Sequence, residues 1–344
     1  MTAKRKTNKN PLTLVYALAV AACVIIVAVL AVWNYVSLRQ ESEGSWVYIP
    51  GNSTPAAIRD SLLKADEDFG ERVFRLWELT GGRPESAHGA YMFPRGTKAI
   101  SAARAISKGH QSPVKVTFNN LRTVGQLAER VASKMEFTPD DFLAACDSIL
   151  PQSGFRKSEY AAAFLPDSYE FYWTAPASKV VSTLLDYRNR FWNDTRRAQA
   201  EKLGLTPAGV ATIASIVEEE TGKTDEQPTV ARLYINRLKR NMPLQADPTV
   251  KFAVGDFSLR RIGARQLAVE SPYNTYKHPG LPPGPIRIPE KATIERVLTA
   301  QPHGYLYMCA KEDFSGRHNF ATDFETHKRN AARYQAALNR RGIK

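Results

Sequence analysis

The residues best suited to chemistry gather at the end of one amphipathic stretch. From Thr206 to Asp247 the chain reads TPAGVATIASIVEEETGKTDEQPTVARLYINRLKRNMPLQAD. Val210, Ile213, Ala214 and Val217 recur at i, i+3, i+4 and i+7, the stripe of a helix laid against a core. Thr206 suits the N-cap and Pro207 the first helical position, where a missing N–H is no loss. Continuing the stripe lands on Glu220 and Thr221. At about 100° per residue, Glu220 projects within about 60° of Val217, between Ile213 and Ile216. Glu219 falls on the opposite, solvent side and Glu218 on the flank. A carboxyl on an apolar face is costly unless protonated or paired, and one kept protonated near neutral pH is a general acid. Periodicity leaves a second reading open, in which EEET is a helix end fraying into Gly222 with all three acids solvated.

Other reactive arrangements are missing from the sequence. It has no G-x-S-x-G elbow, no Walker loop and no GxGxxG. His278, His303, His318 and His327 show no zinc-ligand spacing among themselves or with Cys309, so neither a metal nor a cofactor is expected. Ser61–Lys64 and Ser112–Lys115 fit S-x-x-K, but neither KTG nor SDN follows. Hydride, phosphoryl and serine acyl chemistry are set aside, which leaves a carboxylic acid.

The elements that must position this acid lie on both sides of it. LPDSYEFYW, from Leu165 to Trp173, holds four aromatics and two acids in nine residues. Such a cluster can bind sugar rings by stacking and hydrogen bonding, or it can be a buried aromatic corner. A basic amphipathic helix is expected from about Ala177 to Leu203. Val230, Leu233, Tyr234 and Leu238 mark another helix, stopping before Met242-Pro243. LQADPTVKF and SPYNTYKHPGLPPGPI follow, the latter with five prolines and two glycines in 16 residues. A stretch so constrained suits a groove wall, with Tyr273, Asn274 and Tyr276 as its polar aromatic face. RHNFATDFETH and a basic helix over about Thr326–Asn339 close the sequence.

Upstream, WVYIPGNSTPAAIRDSLL, AYMFPRGTKAISAARAISKG and VKVTFNNLRTVGQLAERVASKM each read as strand, turn and helix. A further helix burying Val73, Phe74 and Trp77 lies between the first two. Two strands with two helices between them would form a small α+β module whose order resembles a LysM-like glycan-binding unit. Thr138-Pro139-Asp140-Asp141 is a capped start for a helix with Phe142, Leu143, Cys146 and Leu150 inward.

The sequence has 344 residues, 43% hydrophobic and 24% charged, which suits about two globular domains. It starts with Lys4, Arg5, Lys6 and Lys9 and no acid, and then carries no charge from Pro11 until Arg39. Leu12 to Trp33 would make about 33 Å of helix, enough to cross a bilayer core. Basic residues ahead of the span keep the N-terminus in the cytoplasm and place the rest outside the plasma membrane. A cleaved signal peptide is the other reading, and Val20-Ala21-Ala22-Cys23 resembles a lipoprotein box. Ten apolar residues after Cys23 argue against it, because a processed lipoprotein needs a polar start. The net charge of +13 favours anionic surfaces or polymers, and the anchor puts nucleic acid on the wrong side. Cys146 and Cys309 are expected to be free, buried thiols.

With IASIVEEET, ARLYINRL, LQADPTV, YNTY and GLPPGPI in this order, the sequence resembles the YceG-like family of endolytic murein transglycosylases. The resemblance is strong from about Leu165 to His327 and weaker from Trp46 to Leu150. It implies a membrane-anchored α+β enzyme that cleaves the MurNAc–GlcNAc β-1,4 bond within uncrosslinked peptidoglycan strands. Glu220, before Thr221, would be the general acid on the glycosidic oxygen. The same carboxylate would take the proton of the MurNAc C6 hydroxyl, which attacks C1 and leaves a 1,6-anhydro end. Asp167 and Tyr169, Gln245 and Asp247, and Tyr273, Asn274 and Tyr276 match family motifs and would form the groove, with Glu218 beside the acid. The sequence departs from the family at Glu219, where a basic residue is common, and at Ser168, where Thr is usual. The implied layout is a cytoplasmic tail (1–10), a transmembrane helix (11–36), a linker (37–45), the LysM-like module (46–112) and a mixed α+β catalytic domain (113–344). Glycan strands are the implied partner, with peptidoglycan synthases and elongation or division proteins beside the plasma membrane. A non-catalytic glycan-binding adaptor and a hydrolytic muramidase are the competing readings.

Overall fold

The structure, a computed structural model, describes residues 11–40, 43–259 and 261–342. The basic tail at 1–10 and two linker residues, 41 and 42, lie outside the described residues. The chain divides into two compact units, residues 1–114 with 172–174, and residues 115–171 with 175–344. Helices and two-stranded sheets mix in both, so the fold is α+β.

The first unit starts with α1 (Pro11–Ser37), which is long and apolar enough to cross a membrane. Its side chains from Leu12 to Trp33 are exposed. Strand β1 (Ser45–Ile49) leads into α2 (Pro55–Ala65) and α3 (Glu67–Leu79), capped by Thr54 and Asp66. A single turn, α4 (Pro84–Ala87), precedes β2 (Gly89–Phe93), which pairs antiparallel with β1, Ser45 opposite Phe93 and Ile49 opposite Gly89. Helix α5 (Ala99–Ser107) completes the unit. Its core joins Ile49, Ile58, Leu62, Val73, Trp77 and Ile106. Helices α2 and α3 cross so closely that a Cβ on Gly70 would lie 2.4 Å from the Leu62 carbonyl oxygen, so only glycine fits there. Two strands with two helices between them are thus present as the pattern predicts, joined by the extra turn α4. Residues 172–174 belong to this unit too, with Trp173 edge-on to Tyr48 at 5.4 Å.

The second unit pairs β3 (Val114–Phe118) with β4 (Asp167–Phe171). Between them lie α6 (Val124–Ala132) and α7 (Pro139–Ile149), the latter closed by the Thr138–Asp141 capping box. The expected basic helix over 177–203 is two helices, α8 (Ala177–Phe191) and α9 (Asp194–Leu203). The break comes at Asn193, whose side chain accepts from the Arg196 N–H and starts a new helix where periodicity alone continues the old one.

Helix α10 (Pro207–Glu220) is the centre of this unit. Every residue from Gly209 to Val217 is buried, not only the stripe that the spacing marks. Gly209, Ala211, Ala214 and Ser215 are small enough to admit neighbours on all sides. Those neighbours are α9, α11 (Gln227–Lys239), α12 (Asp247–Val254) and, after the short α13 (Ala264–Leu267), α14 (Lys291–Leu298). An antiparallel ribbon of β5 (Tyr307–Ala310) and β6 (His318–Ala321) and the last helix, α15 (Phe324–Arg340), close the unit.

Candidate active site

A cavity of about 410 Å³ opens where α10 ends. Glu220 of α10, Tyr234 and Arg237 of α11, Gln245 and Asp247 at the entry of α12, and Tyr276 line it. His318 at the start of β6 and His327 of α15 form its other wall. The ribbon and the last helix thus complete a site begun a hundred residues earlier in the chain.

Glu220 is the last residue of α10. A carboxylate there meets the negative end of the helix dipole, which favours its protonated form. Burial raises the Glu220 carboxyl above the ordinary carboxylate range; the Asp247 charge adds to this, while His318, the Tyr234 hydroxyl and Lys251 oppose it. The Tyr234 hydroxyl donates to Glu220 Oε2 at 3.2 Å. It is itself buried and held well above its ordinary pKa, so it remains a donor. Across the cavity Tyr276 donates to Asp247 Oδ1 at 2.6 Å. Arg237 is buried, donating to the carbonyls of Pro243 at 2.8 Å and Leu306 at 2.9 Å and to Gln245 Oε1. Gln245 sits at φ 54°, a left-handed conformation that a residue with a side chain adopts only when its surroundings impose it. Its N–H donates to the Thr275 carbonyl, and the Ala246 N–H donates to Thr275 Oγ1, so the two groove loops brace each other.

The other residues singled out by sequence lie outside this cavity. Glu218 is buried against Arg287, 3.0 Å from Nε, and accepts from the Glu290 N–H at 2.8 Å. Asp167 is bound by Lys291 and the Tyr187 hydroxyl, which pull its carboxyl down to about 2. Tyr169 is buried with its ring stacked on Phe118 and its hydroxyl donating to the Leu165 carbonyl at 2.6 Å. Tyr169 and Phe171 therefore form the buried aromatic corner. Tyr273 stands against Phe252 at 4.8 Å, on a separate cavity of about 350 Å³. Asn274 is fully buried, its amide donating to the Leu267 and Val269 carbonyls and its Oδ1 accepting from the Tyr276 N–H. It shapes the loop that presents Tyr276.

Glu219 does not face solvent. It bridges Arg122 at 2.9 Å and Arg287 at 2.8 Å, and its side chain is only 16% exposed. Helical phase could not show this, because both arginines come from loops distant in sequence. The GLPPGPI stretch is fixed to its surroundings in the same way. The Ile286 N–H donates to Ser215 Oγ of α10 at 3.0 Å, and a Cβ on Gly284 would lie 1.8 Å from the Ser158 carbonyl oxygen. Tyr234, Arg237, His318 and His327 were not legible as site residues. A phenol and a guanidinium three apart on the buried face of ARLYINRL were the available signal. Cys309 is free and half-buried on the cavity wall, whereas Cys146 is buried in the other cavity with its thiol pushed up to about 12.

Comparison with known proteins agrees with this architecture. The model of the YceG-like family matches residues 47–333. An endolytic murein transglycosylase of Bacillus subtilis is 26% identical over 311 residues, covering 85% of each chain. Endolytic murein transglycosylases from two strains of Streptococcus pneumoniae are 37% identical over 134 residues, 38% of this chain and 24% of theirs. A crystal structure of a yceG-like protein from Listeria monocytogenes shares the fold with a TM-score of 0.55 at 22% identity, over 83% of this chain and 98% of that one. With most of its length matched by the family, the chain belongs to the YceG-like family.

Proposed function

We propose that the chain is a membrane-anchored lytic transglycosylase acting within peptidoglycan glycan strands. The observation that carries this reading is Glu220, a carboxyl raised by burial at the end of a buried helix and open to a polar cavity. Two relatives that carry the name endolytic murein transglycosylase support the substrate class. Glu220 protonates the glycosidic oxygen of the MurNAc–GlcNAc bond, with Tyr234 steadying the carboxylate that results. The C6 hydroxyl of MurNAc then closes on C1. In the single-carboxylate cycle implied by the family resemblance, Glu220 takes up the proton that this hydroxyl loses. Gln245, Asp247 and Tyr276 hold sugar hydroxyls on the same cavity. Helix α1 acts as the anchor, with the catalytic unit outside the cytoplasm, and the LysM-like module contributes glycan binding.

One observation favours a second reading. Asp247 places another carboxylate on the cavity of the acid, and a carboxylate pair is the equipment of hydrolytic glycosidases. Purified uncrosslinked strands distinguish the readings. Anhydro-ended fragments support the transglycosylase, reducing ends the muramidase, and binding without cleavage an adaptor.

A further inference from the structure

His318 enters the cavity from the ribbon, far in sequence from Glu220. Glu226, a buried residue, holds it twice, accepting the His318 backbone N–H at Oε1 (3.1 Å) and facing ring Nδ1 with Oε2 at 3.2 Å. A carboxylate at Nδ1 fixes the hydrogen there and leaves Nε2 as the free acceptor. Among the described residues no hydrogen bond is made to that Nε2. Glu226 is tied to the end of α10 as well, through Thr221 Oγ1 at 3.5 Å. Burying a carboxylate is costly, and the fold uses this one to orient an imidazole on the wall of the acid's own cavity. His327 lines the same cavity, but among the described residues no carboxylate orients it and its Nδ1 is without a partner, while its ring stacks on Tyr307.

We propose that His318 is a second catalytic residue, accepting the proton of the glycan hydroxyl as that oxygen attacks the anomeric carbon, with Glu226 as its positioning residue. The inference rests on the transglycosylase reading and changes only which group takes the hydroxyl proton. The bond from the attacking oxygen to the anomeric carbon forms as the glycosidic bond breaks. Glu220 gives its proton to the departing oxygen, and the hydroxyl proton passes to Nε2. The step leaves an imidazolium and a carboxylate in one cavity. Return of the proton from His318 to Glu220 restores both groups, with no other reactant.

Charged and polar groups face His318 from each element packed around the cavity. Glu226, with Asp225 before it, stands at the start of α11, and Arg317, beside His318, pairs with Asp225 at 2.8 Å and lies 3.9 Å from Glu226. Glu220 of α10 faces it across the cavity, together with Asp247, Arg237 and the phenols of Tyr234 and Tyr276. Cys309 of β5 and His327 of α15 complete the surroundings.

The test is the pH dependence of kcat/KM for the full chain in detergent, on uncrosslinked glycan strands. A neutral base and a protonated acid are both needed, so the expected profile is bell-shaped. His318→Gln should lower kcat on the order of 10²-fold or more and remove one limb of the profile, with KM nearly unchanged. Glu226→Gln keeps a contact at Nδ1 but loses the carboxylate that fixes the ring, so kcat should fall by less than in His318→Gln, again with KM nearly unchanged. Near wild-type kcat in His318→Gln with both limbs retained would overturn the proposal. A wild-type profile with a single limb would overturn it too, without any variant. Wild-type release of reducing ends would instead overturn the transglycosylase reading, a separate failure read from the products.

Discussion

Glu220 sits between opposing influences, and each neighbour gives a signed prediction. A general acid is active while protonated, so the upper limb of the pH profile follows its pKa. Asp247 raises that value and the Tyr234 hydroxyl lowers it. Asp247→Asn should therefore move the upper limb to lower pH, and Tyr234→Phe to higher pH, in rate profiles measured on the same glycan. Stability follows from the same shift. Because the folded carboxyl titrates above its unfolded value, its favourable contribution is complete below the unfolded pKa and is lost as pH rises through the folded one. Glu220→Gln removes that loss, so at mildly alkaline pH the variant should melt at a higher temperature than the wild type. An equal or lower melting temperature there would mean that the carboxyl is not held in its neutral form. The sequence made Glu220 legible because Val210, Ile213, Ala214 and Val217 precede it at helical spacing. It made Asp167 and Tyr169 look equivalent to Gln245 and Asp247, because motif membership does not say which way a side chain turns.

At the scale of elements, three consecutive acids finish a helix whose C-terminal end repels them. Arg122 and Arg287 make this tolerable by pairing with Glu219, while Arg287 also meets Glu218 and donates to Asn120 Oδ1 at 2.6 Å. Arg287→Gln should leave buried carboxylates uncompensated and cost about 3–5 kcal/mol in urea unfolding, with the last turn of α10 loosened around Glu220. Arg287→Lys keeps the charge and should cost less. Gly284→Ala should be at least as disruptive as a core cavity, since backbone lies where the methyl group must go. A wild-type unfolding midpoint for Gly284→Ala would contradict the close approach. Strand, turn and helix repeats were legible from alternation and caps. The division of 177–203 at Asn193 was not, because a polar residue between two helices of similar composition reads equally well as one exposed position. Nor was the encirclement of α10, which depends on small residues that a stripe of large ones conceals.

At the scale of the molecule, the apolar helix α1 belongs to the first unit, whereas Glu220, its loops and the ribbon all belong to the second. Removing residues 46–112 while keeping the anchor should weaken capture of whole sacculi and leave cleavage of short soluble strands. Complete loss of turnover in a folded deletion would show that the first unit helps build the site. With the orientation proposed from the charge ahead of α1, a reporter that works only outside the cytoplasm, fused after Lys344, should be active. In the proposed cycle the bond is broken without water. Cleavage of uncrosslinked strands in heavy-oxygen water, followed by mass spectrometry of the new ends, tests it most directly. Fragments should be one water lighter than hydrolysis products, with no heavy oxygen at the MurNAc C1, and Glu220→Gln should release none. Heavy oxygen at that carbon, or undiminished cleavage by Glu220→Gln, would contradict the proposed cycle.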